Sequence, residues 1–391
     1  MDKQTLSYYF DYNATTPISE SVTNTMKSNL SLFYNPSSNS TLAGESKEVI
    51  HRARRNVAKL LGCEPAQVFF VSGGSEANNW AIKGYLLNLY KNPGHIITSA
   101  IEHPSVLESL KYLEKQFNFQ VTYIEPQANG AISAQDVGRA FNPRTQFISL
   151  MYANNETGVI QPVEFIQKLL HSGVKFHIDG VQYIGKCPTD VKSLNVDFMS
   201  FSAHKFYGPK GIGGLFVKDP KALSPLIHGG GQEMGMRAGT ENMLAISGIG
   251  QAADDCNNWM DSWYKHYVDC KNYLIKRLQE LPFKIDFNGD IDTTKSVPNT
   301  LNFSIDGVRG EAVAAFLDKK YNIAVSVGSA CSNNKQNKLS HVLVAMGLDE
   351  ERVQSALRVS FGRYTTFKDI DYFVDGLTFS VTKLQNIGAI A

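Results

Sequence analysis

Short hydrophobic runs alternate with helical patterns along residues 44–217 of this chain. The runs are rich in β-branched and aromatic residues, and examples are Gln67–Val71, His95–Thr98 and Gln146–Met151. The stretches between them carry apolar residues at helical spacing. Such alternation is typical of a mostly parallel sheet covered by helices, so we predict an α/β fold.

A second pattern begins beyond this region. A long helical stretch runs from about Glu241 to Leu281 and leads to a smaller α+β segment with strand-like runs at Thr300–Ile305 and Ala356–Phe361. The chain has 391 residues, which exceeds the usual size of a single hydrophobic core. We therefore expect two domains.

The composition favours a globular protein that binds small ligands. Hydrophobic residues make up 43% of the chain, and the formal net charge of +1 gives no field that would attract nucleic acid. No apolar run approaches membrane-spanning length, and the amino terminus lacks a signal-peptide core. We expect a cytoplasmic protein without direct contact to nucleic acid or membrane. The basic stretch His51–Arg55 lies in a helical pattern and is interpreted as a solvated face.

The five cysteines indicate neither a disulfide framework nor a zinc site, because their number is odd and no two are closely spaced. We expect no bound metal. Four lie in helical or apolar surroundings, as small buried side chains do. Cys331 differs, because the polar stretch Ser332–Lys338 follows it, and it reads as an exposed thiol whose thiolate is favoured by Lys335 and Lys338.

Two polar residues follow neighbouring strand-like runs. Asp179 ends the run that begins at Val174, and Lys205 follows the run Val196–Phe201. Ligand sites in open α/β sheets gather at the carboxyl ends of strands. A carboxylate beside the pyridine nitrogen and a lysine amine that forms a Schiff base are what pyridoxal phosphate requires. Taken singly, Lys205 also reads as a solvated loop residue and Asp179 as a strand end.

Glycines and a serine follow the run that ends at Val71. Gly73, Gly74 and Ser75 open a helical pattern, and a helix amino terminus binds anions such as phosphate. An ordinary helix cap explains the serine equally well. His103 follows another strand-like run, where it is suited either to stacking on a ring and shuttling protons or to a structural role.

With these residues taken together, the chain resembles the NifS/IscS-type cysteine desulfurases of the class V aminotransferase family, which are fold-type I pyridoxal phosphate enzymes. The resemblance covers nearly the whole chain. The motifs that carry it are Phe10–Pro17, Ser72–Glu76, Glu102–His103, Asn154–Gly158, His177–Gln182, Ser202–Lys205, Arg237–Asn242, Gly328–Cys331 and Leu357–Ser360.

The resemblance implies a domain organisation. The large domain, residues 14–260, would bind the cofactor with a mostly parallel seven-stranded sheet sandwiched by helices. The smaller α+β domain, residues 1–13 and 261–391, would carry Cys331 and Arg358.

The resemblance also implies a role for each cofactor-site residue. The ring and its aldehyde would be held by Lys205 as a Schiff base, Asp179 at the ring nitrogen, Gln182 at the ring hydroxyl and His103 on the ring face. The phosphate would be held by Gly74, Ser75, Ser202 and His204. Thr240 would reach the phosphate of the neighbouring subunit, which implies a homodimer with shared active sites.

The substrate implied by the resemblance is L-cysteine. Arg358 would clamp its carboxylate through a planar, bidentate fork, with Asn155 assisting and Asn13 bordering the pocket. Without the resemblance, a salt bridge is the alternative for Arg358. Cys331 would attack the substrate sulfur, which leaves a persulfide on the enzyme and yields L-alanine, and His103 would supply or remove protons.

Two departures from the housekeeping members leave the sulfur-acceptor protein open. The stretch Asn333–Lys338 lacks their small residues and Glu-Pro pair, and the chain stops at Ala391 where they continue into a tail that docks the iron–sulfur scaffold. General iron–sulfur cluster assembly and a dedicated pathway, such as nitrogenase clusters, tRNA thiolation or DNA phosphorothioation, are both compatible. The alternative functions are a selenocysteine lyase, a class V aminotransferase and a non-catalytic binding module.

Overall fold

A seven-stranded sheet forms the centre of the computed structural model, which describes residues 8–327, 329–330 and 338–388. The strands are β1 Val68–Val71, β2 His95–Ser99, β3 Gln120–Ile124, β4 Thr145–Met151, β5 Lys175–Asp179, β6 Phe198–Ser202 and β7 Gly213–Val217. Their spatial order is β1-β7-β6-β5-β4-β2-β3, and within this sheet β7 runs against both of its neighbours. The other strands are mutually parallel, so the predicted mostly parallel sheet is confirmed.

Helices cover both faces of this sheet and continue into the rest of the chain. In chain order they are α1 Glu20–Ser28, α2 Gly44–Leu61, α3 Gly74–Leu86, α4 Pro104–Phe117, α5 Ala134–Ala140, α6 Val163–Gln167, α7 Val191–Leu194, α8 Met243–Gln279, α9 Gly310–Tyr321, α10 His341–Ala345, α11 Glu350–Gln354 and α12 Phe367–Gly388. The long helical stretch expected from the sequence is α8, whose cap residue Asn242 accepts a hydrogen bond from the Ala245 backbone nitrogen.

The alternation of side chains along each strand divides the large core into two layers. In β1, Val68 and Phe70 pack into one layer with α2 and the first half of α8, whereas Phe69 and Val71 pack into the other with α3 and α4. All four residues are buried. The hydrophobic run of β1 is therefore continuous because helices cover the sheet on both sides.

A smaller antiparallel sheet carries its own core. Its strands are β8 Ile285–Phe287, β9 Thr300–Ile305, β10 Ser326–Val327 and β13 Ala356–Ser360, in the order β10-β13-β9-β8. Two further short strands, β11 Ser329–Ala330 and β12 Lys338–Leu339, pair with each other. A separate hydrophobic cluster joins this sheet to α9, α12 and the second half of α8.

The amino-terminal segment belongs to the smaller sheet, not the larger one. Tyr9 forms a bridge to Ala324 and Asp11 forms a bridge to Ser360, while Phe10 is buried in the cluster of the smaller sheet. This placement supports the expectation that the first residues join the smaller domain. The boundaries 14–260, 1–13 and 261–391 stay a prediction.

One interpretation of the sequence is wrong in part. Arg54 does not lie on a solvated face with its neighbours but is largely buried, and its guanidinium binds Glu233 at 2.6 Å. It also lies 4.8 Å from the centre of the Phe70 ring. His51 and Arg55 are exposed as expected. The helical pattern could not reveal the distant segment that carries Glu233 and covers this part of α2.

The cysteines of the described residues are largely buried, as the sequence predicts. Cys187, Cys256 and Cys270 are buried free thiols, and Cys63 is half-buried. Across 8–327, 329–330 and 338–388, no helix is both long and apolar enough to cross a bilayer. Cys331 lies outside the described residues.

Candidate active site

A cavity of about 240 Å³ opens where the parallel strands of the large sheet end. It lies here because β4, β5 and β6 point in the same direction and each is followed by polar residues. The predicted site residues that line it are Gly74, Ser75, His103, Asn155, Asp179, Gln182, Ser202, His204 and Lys205. The sequence placed these residues on separate motifs, and the fold brings them around one cavity.

Asp179 is the fixed carboxylate of this cavity. It is the last residue of β5 and only 5% exposed. Its Oδ2 accepts a hydrogen bond from Nδ2 of Asn78 at 2.7 Å, and its Oδ1 accepts one from the Val181 backbone nitrogen at 3.0 Å. The two donors hold the carboxylate in one orientation, which suits a partner for a ring nitrogen.

Lys205 supplies an amine at the same edge. It lies in a short 3₁₀ turn directly after β6, and its Nζ donates to the backbone oxygens of Asn13 at 2.6 Å and Ala14 at 2.8 Å. Burial, with the charge of Arg358 second, lowers the pKa of Lys205 to about 8. A larger fraction of the amine is therefore uncharged near neutral pH than in an ordinary lysine, which makes it a better nucleophile.

Another part of the cavity wall is suited to an anion. Gly74 and Ser75 are the first residues of α3, a helix of 13 residues, and its free backbone N–H groups favour negative charge. A Cβ at Gly74 would lie 2.7 Å from Cγ2 of Val181, so a side chain there would collide with the cavity wall. Burial lowers the pKa of His204 to about 4, and its Nδ1 lies 3.1 Å from Oγ1 of Thr15.

The polar groups of this cavity fit pyridoxal phosphate. An amine, a fixed carboxylate and an anion-binding helix terminus surround one cavity of small-molecule size. In addition, Oδ1 of Asn78 is buried without a hydrogen-bond partner in the described structure, so the cavity wall has an unused acceptor.

A buried lysine that the sequence did not predict, Lys186, orients two of the predicted site residues, Gln182 and Asn13. Nζ of Lys186 donates to Oε1 of Gln182 at 2.6 Å and to Oδ1 of Asn13 at 3.0 Å. Nε2 of Gln182 then donates to the Asn13 backbone oxygen at 3.0 Å. Burial lowers the pKa of Lys186 well below its ordinary value. Asn13 does not line the cavity itself but lies behind it and is almost fully buried.

Arg358 lines a neighbouring cavity of about 560 Å³. Its Nη2 binds Oδ1 of Asp11 at 2.6 Å, and its Nη1 donates to the Asn155 backbone oxygen at 3.0 Å. The salt bridge that the sequence left open as an alternative is thus present. Nε of Arg358 is buried without a partner among the described residues. Because Asn155 lines both cavities, Arg358 stands next to the proposed cofactor cavity rather than inside it.

Thr240, like Asn13 and Arg358, does not line the proposed cofactor cavity. Thr240 lines a separate cavity with Ser72 and Arg237, and Nε of Arg237 binds Glu76 of α3 at 2.9 Å. Cys331 lies outside the described residues.

Asn78, Ser105, Asp11 and Lys186 were not identified from the sequence as site residues. Asn78 and Ser105 line the cofactor cavity, and Asp11 lines the cavity of Arg358. One helical turn separates Asn78 from Gly74, and this spacing was the available signal. No local pattern marks Lys186, because its partner Asn13 is distant in the sequence.

A mostly parallel α/β sheet that presents a lysine and a carboxylate at its carboxyl edge defines a fold-type I pyridoxal phosphate enzyme. Residues 8–373 match the family model described as aminotransferase class-V. The chain belongs to this family, as its motifs predicted.

Individual relatives agree with this assignment. A Clostridium botulinum protein named cysteine desulfurase IscS is 40% identical over 379 residues, which cover 96% of this chain and 94% of that protein. A solved structure described as a NifS-like protein has a TM-score of 0.89 at 35% identity and covers 96% of this chain and 99% of its own. A structure described as SspA in complex with cysteine has a TM-score of 0.79 at 36% identity, with coverages of 92% and 100%. The resemblance inferred from the motifs is confirmed.

Proposed function

We propose that this protein is a pyridoxal phosphate-dependent cysteine desulfurase, which converts L-cysteine to L-alanine and passes the sulfur to an enzyme thiol. One observation carries the proposal: a cavity that presents an amine, a carboxylate and an anion-binding helix terminus, as this cofactor requires, adjoins Arg358. The chain is 40% identical to a named cysteine desulfurase. A structurally similar protein is described as a complex with cysteine, which supports the same substrate.

The residues of the cavity divide the work. Bound pyridoxal phosphate withdraws electrons from the α-carbon of the amino acid. Lys205 would bind the cofactor aldehyde and afterwards take the α-proton, for which its lowered pKa of about 8 is suited. Asp179 would face the ring nitrogen and stabilise its positive charge. The phosphate would be held by Gly74, Ser75, Ser202 and His204, and the ring by Gln182 and His103.

Arg358 would bind the substrate carboxylate. Its side chain already binds Asp11, so the free enzyme holds the guanidinium in place with an internal carboxylate. Asn155, which lines both cavities, would border the bound amino acid. A guanidinium pairs with a carboxylate through two parallel hydrogen bonds and thereby fixes the orientation of the α-carbon toward Lys205.

The sulfur acceptor on the enzyme would be Cys331. Anaerobic incubation with L-cysteine should produce alanine and a sulfur-sized mass gain on Cys331, measured by intact and peptide mass spectrometry. Cys331→Ser should retain bound cofactor and lose alanine production, whereas Cys63→Ser, which alters a half-buried thiol elsewhere in the chain, should behave as wild type. Undiminished turnover of Cys331→Ser would contradict the proposal, and keto-acid-dependent amine transfer would indicate an aminotransferase instead.

We further propose a homodimer in which Thr240 serves the cofactor of the partner subunit. Its support is that Thr240 lines a different cavity from Lys205 within one chain. A mixture of Lys205→Ala and Thr240→Ala chains, allowed to exchange subunits, should regain activity, because one site of each mixed dimer contains both intact residues. If Thr240 served its own chain, the mixture would stay as inactive as its components.

The acceptor protein that receives the sulfur is not determined by the site. A general role in iron–sulfur cluster assembly is supported by relatives named IscS, and a dedicated sulfur-transfer pathway is the alternative. Pull-down experiments that identify the protein receiving the persulfide sulfur would distinguish these two roles. The cytoplasmic location stays a prediction.

A further inference from the structure

A chain of hydrogen bonds links the carboxylate of Asp179 to the ring of His103. Nδ2 of Asn78 donates to Oδ2 of Asp179 at 2.7 Å and to Oγ of Ser105 at 2.9 Å. Oγ of Ser105 lies 2.7 Å from Nδ1 of His103. The Ser105 backbone nitrogen also donates to this Nδ1, at 3.1 Å.

Chemistry fixes the direction of every link in this chain. The amide of Asn78 must turn its NH₂ group toward Asp179, since its oxygen would face a carboxylate in the opposite orientation. One hydrogen of the amide goes to Asp179 and the other goes to Ser105. The hydroxyl of Ser105 is thus an acceptor on this side, which leaves its own proton free to be donated to His103.

Nδ1 of His103 is therefore an acceptor. A backbone N–H can only donate, so Nδ1 cannot carry a proton without losing the bond from the Ser105 backbone nitrogen. With Nδ1 unprotonated, the hydroxyl of Ser105 is the donor in its 2.7 Å contact with the same nitrogen. A neutral imidazole has one protonated nitrogen, which must be Nε2. Because Nδ1 is engaged with Ser105, Nε2 is the ring nitrogen left for a ligand in the cavity that His103 lines.

We propose that Asn78 and Ser105 are positioning residues that hold His103 as the neutral Nε2–H tautomer, so that it donates a hydrogen bond to the bound ligand and leaves proton abstraction to Lys205. This inference rests on the proposed function for the identity of the ligand. It replaces the expectation that His103 removes protons, because a base at Nε2 would need its proton on Nδ1.

The surroundings of His103 also favour its neutral form, because they lower its pKa. Desolvation by the protein lowers the pKa of His103, and the charges of Lys205 and His341 lower it further. Asp179 opposes them. The residue is exposed at the cavity, so solvent weakens each of these effects, and the two donors to Nδ1 remain the specific constraint.

The tautomer can be read directly from long-range ¹H–¹⁵N NMR spectra of the cofactor-loaded protein labelled with ring-¹⁵N histidine, with His103→Gln to assign the signal. We expect wild-type His103 to be neutral at pH 7 with its proton on Nε2. Ser105→Ala should raise its pKa by roughly half a unit to one unit, the shift that corresponds to one neutral hydrogen bond. Ser105→Thr, which keeps the hydroxyl, should restore the wild-type value.

Ser109→Ala is the matched control. Ser109 is a buried serine of the same helix, and its Oγ binds the Ser105 backbone oxygen at 2.7 Å without contacting the ring. The Ser109→Ala substitution should leave the pKa of His103 unchanged. A proton on Nδ1 in the wild type, or equal shifts in Ser105→Ala and Ser109→Ala, would overturn the proposal. The spectra do not depend on turnover, so a protein that fails to release alanine from cysteine refutes the proposed function without affecting this test.

Discussion

Replacing Glu233 by glutamine should destabilise the protein by breaking a buried ion pair. Two hydrogen bonds, 2.6 and 2.8 Å long, join its carboxylate to Arg54, and the side chains are 4% and 13% exposed. Its Oε2 also accepts the Phe70 backbone nitrogen of β1 at 2.8 Å. Removal of one partner of a buried pair costs about 3–5 kcal/mol, because the other charge stays buried without compensation. Glutamine keeps one acceptor, so we expect about 3 kcal/mol.

The chain contains its own control one residue away. Arg55 binds Glu48 at the same distance of 2.6 Å, but both side chains are more than half exposed. Glu48→Gln should therefore leave the unfolding free energy unchanged, since solvent screens an exposed pair. Urea unfolding of the cofactor-loaded wild type and of each variant is followed by fluorescence and by circular dichroism. If the two signals change together, the curves give the difference in unfolding free energy between each variant and the wild type.

Two outcomes would refute this reasoning. One is a Glu233→Gln variant as stable as the Glu48→Gln variant. The other is a double variant Arg54→Met with Glu233→Gln that remains as unstable as Glu233→Gln alone. The double variant should recover stability, because it no longer buries a guanidinium that has lost its carboxylate partner.

The remaining predictions concern the cofactor site. Burial lowers the pKa of Lys205 to about 8, so its amine is protonated below this pH and free above it. The rate of pyridoxal phosphate incorporation into cofactor-free protein, followed by absorbance, should rise with pH up to about 8 and then level off, and a flat profile from pH 6 to 9 would contradict this. Lys186→Met removes the donor to Gln182 and Asn13 and should weaken cofactor binding about tenfold in fluorescence titrations, the effect of roughly one hydrogen bond. Lys271→Met changes a similarly buried lysine outside the site and should leave cofactor affinity unchanged. Equal losses of affinity in the two variants would exclude a specific role of Lys186.

The strands and the long helix followed from the sequence because their signals are local. Thr300–Ile305 is a strand as expected, and the expected helix from Glu241 to Leu281 begins and ends two residues inside these limits. Arg54 shows the opposite case. Its helical spacing is the same as that of its exposed neighbours, and only the return of the chain at Glu233 buries it.

The sequence by itself determined the α/β architecture, the family and nine of the residues that line the cofactor cavity, because strand periodicity and short motifs are formed by adjacent residues. The tertiary structure alone decided how these side chains are oriented. Lys186 reaches Asn13 across 173 positions, Arg358 reaches Asp11 across 347, and Asn78 reaches Asp179 across 101. Hydrogen-bond direction and burial depend on such distant contacts, and no local pattern encodes them.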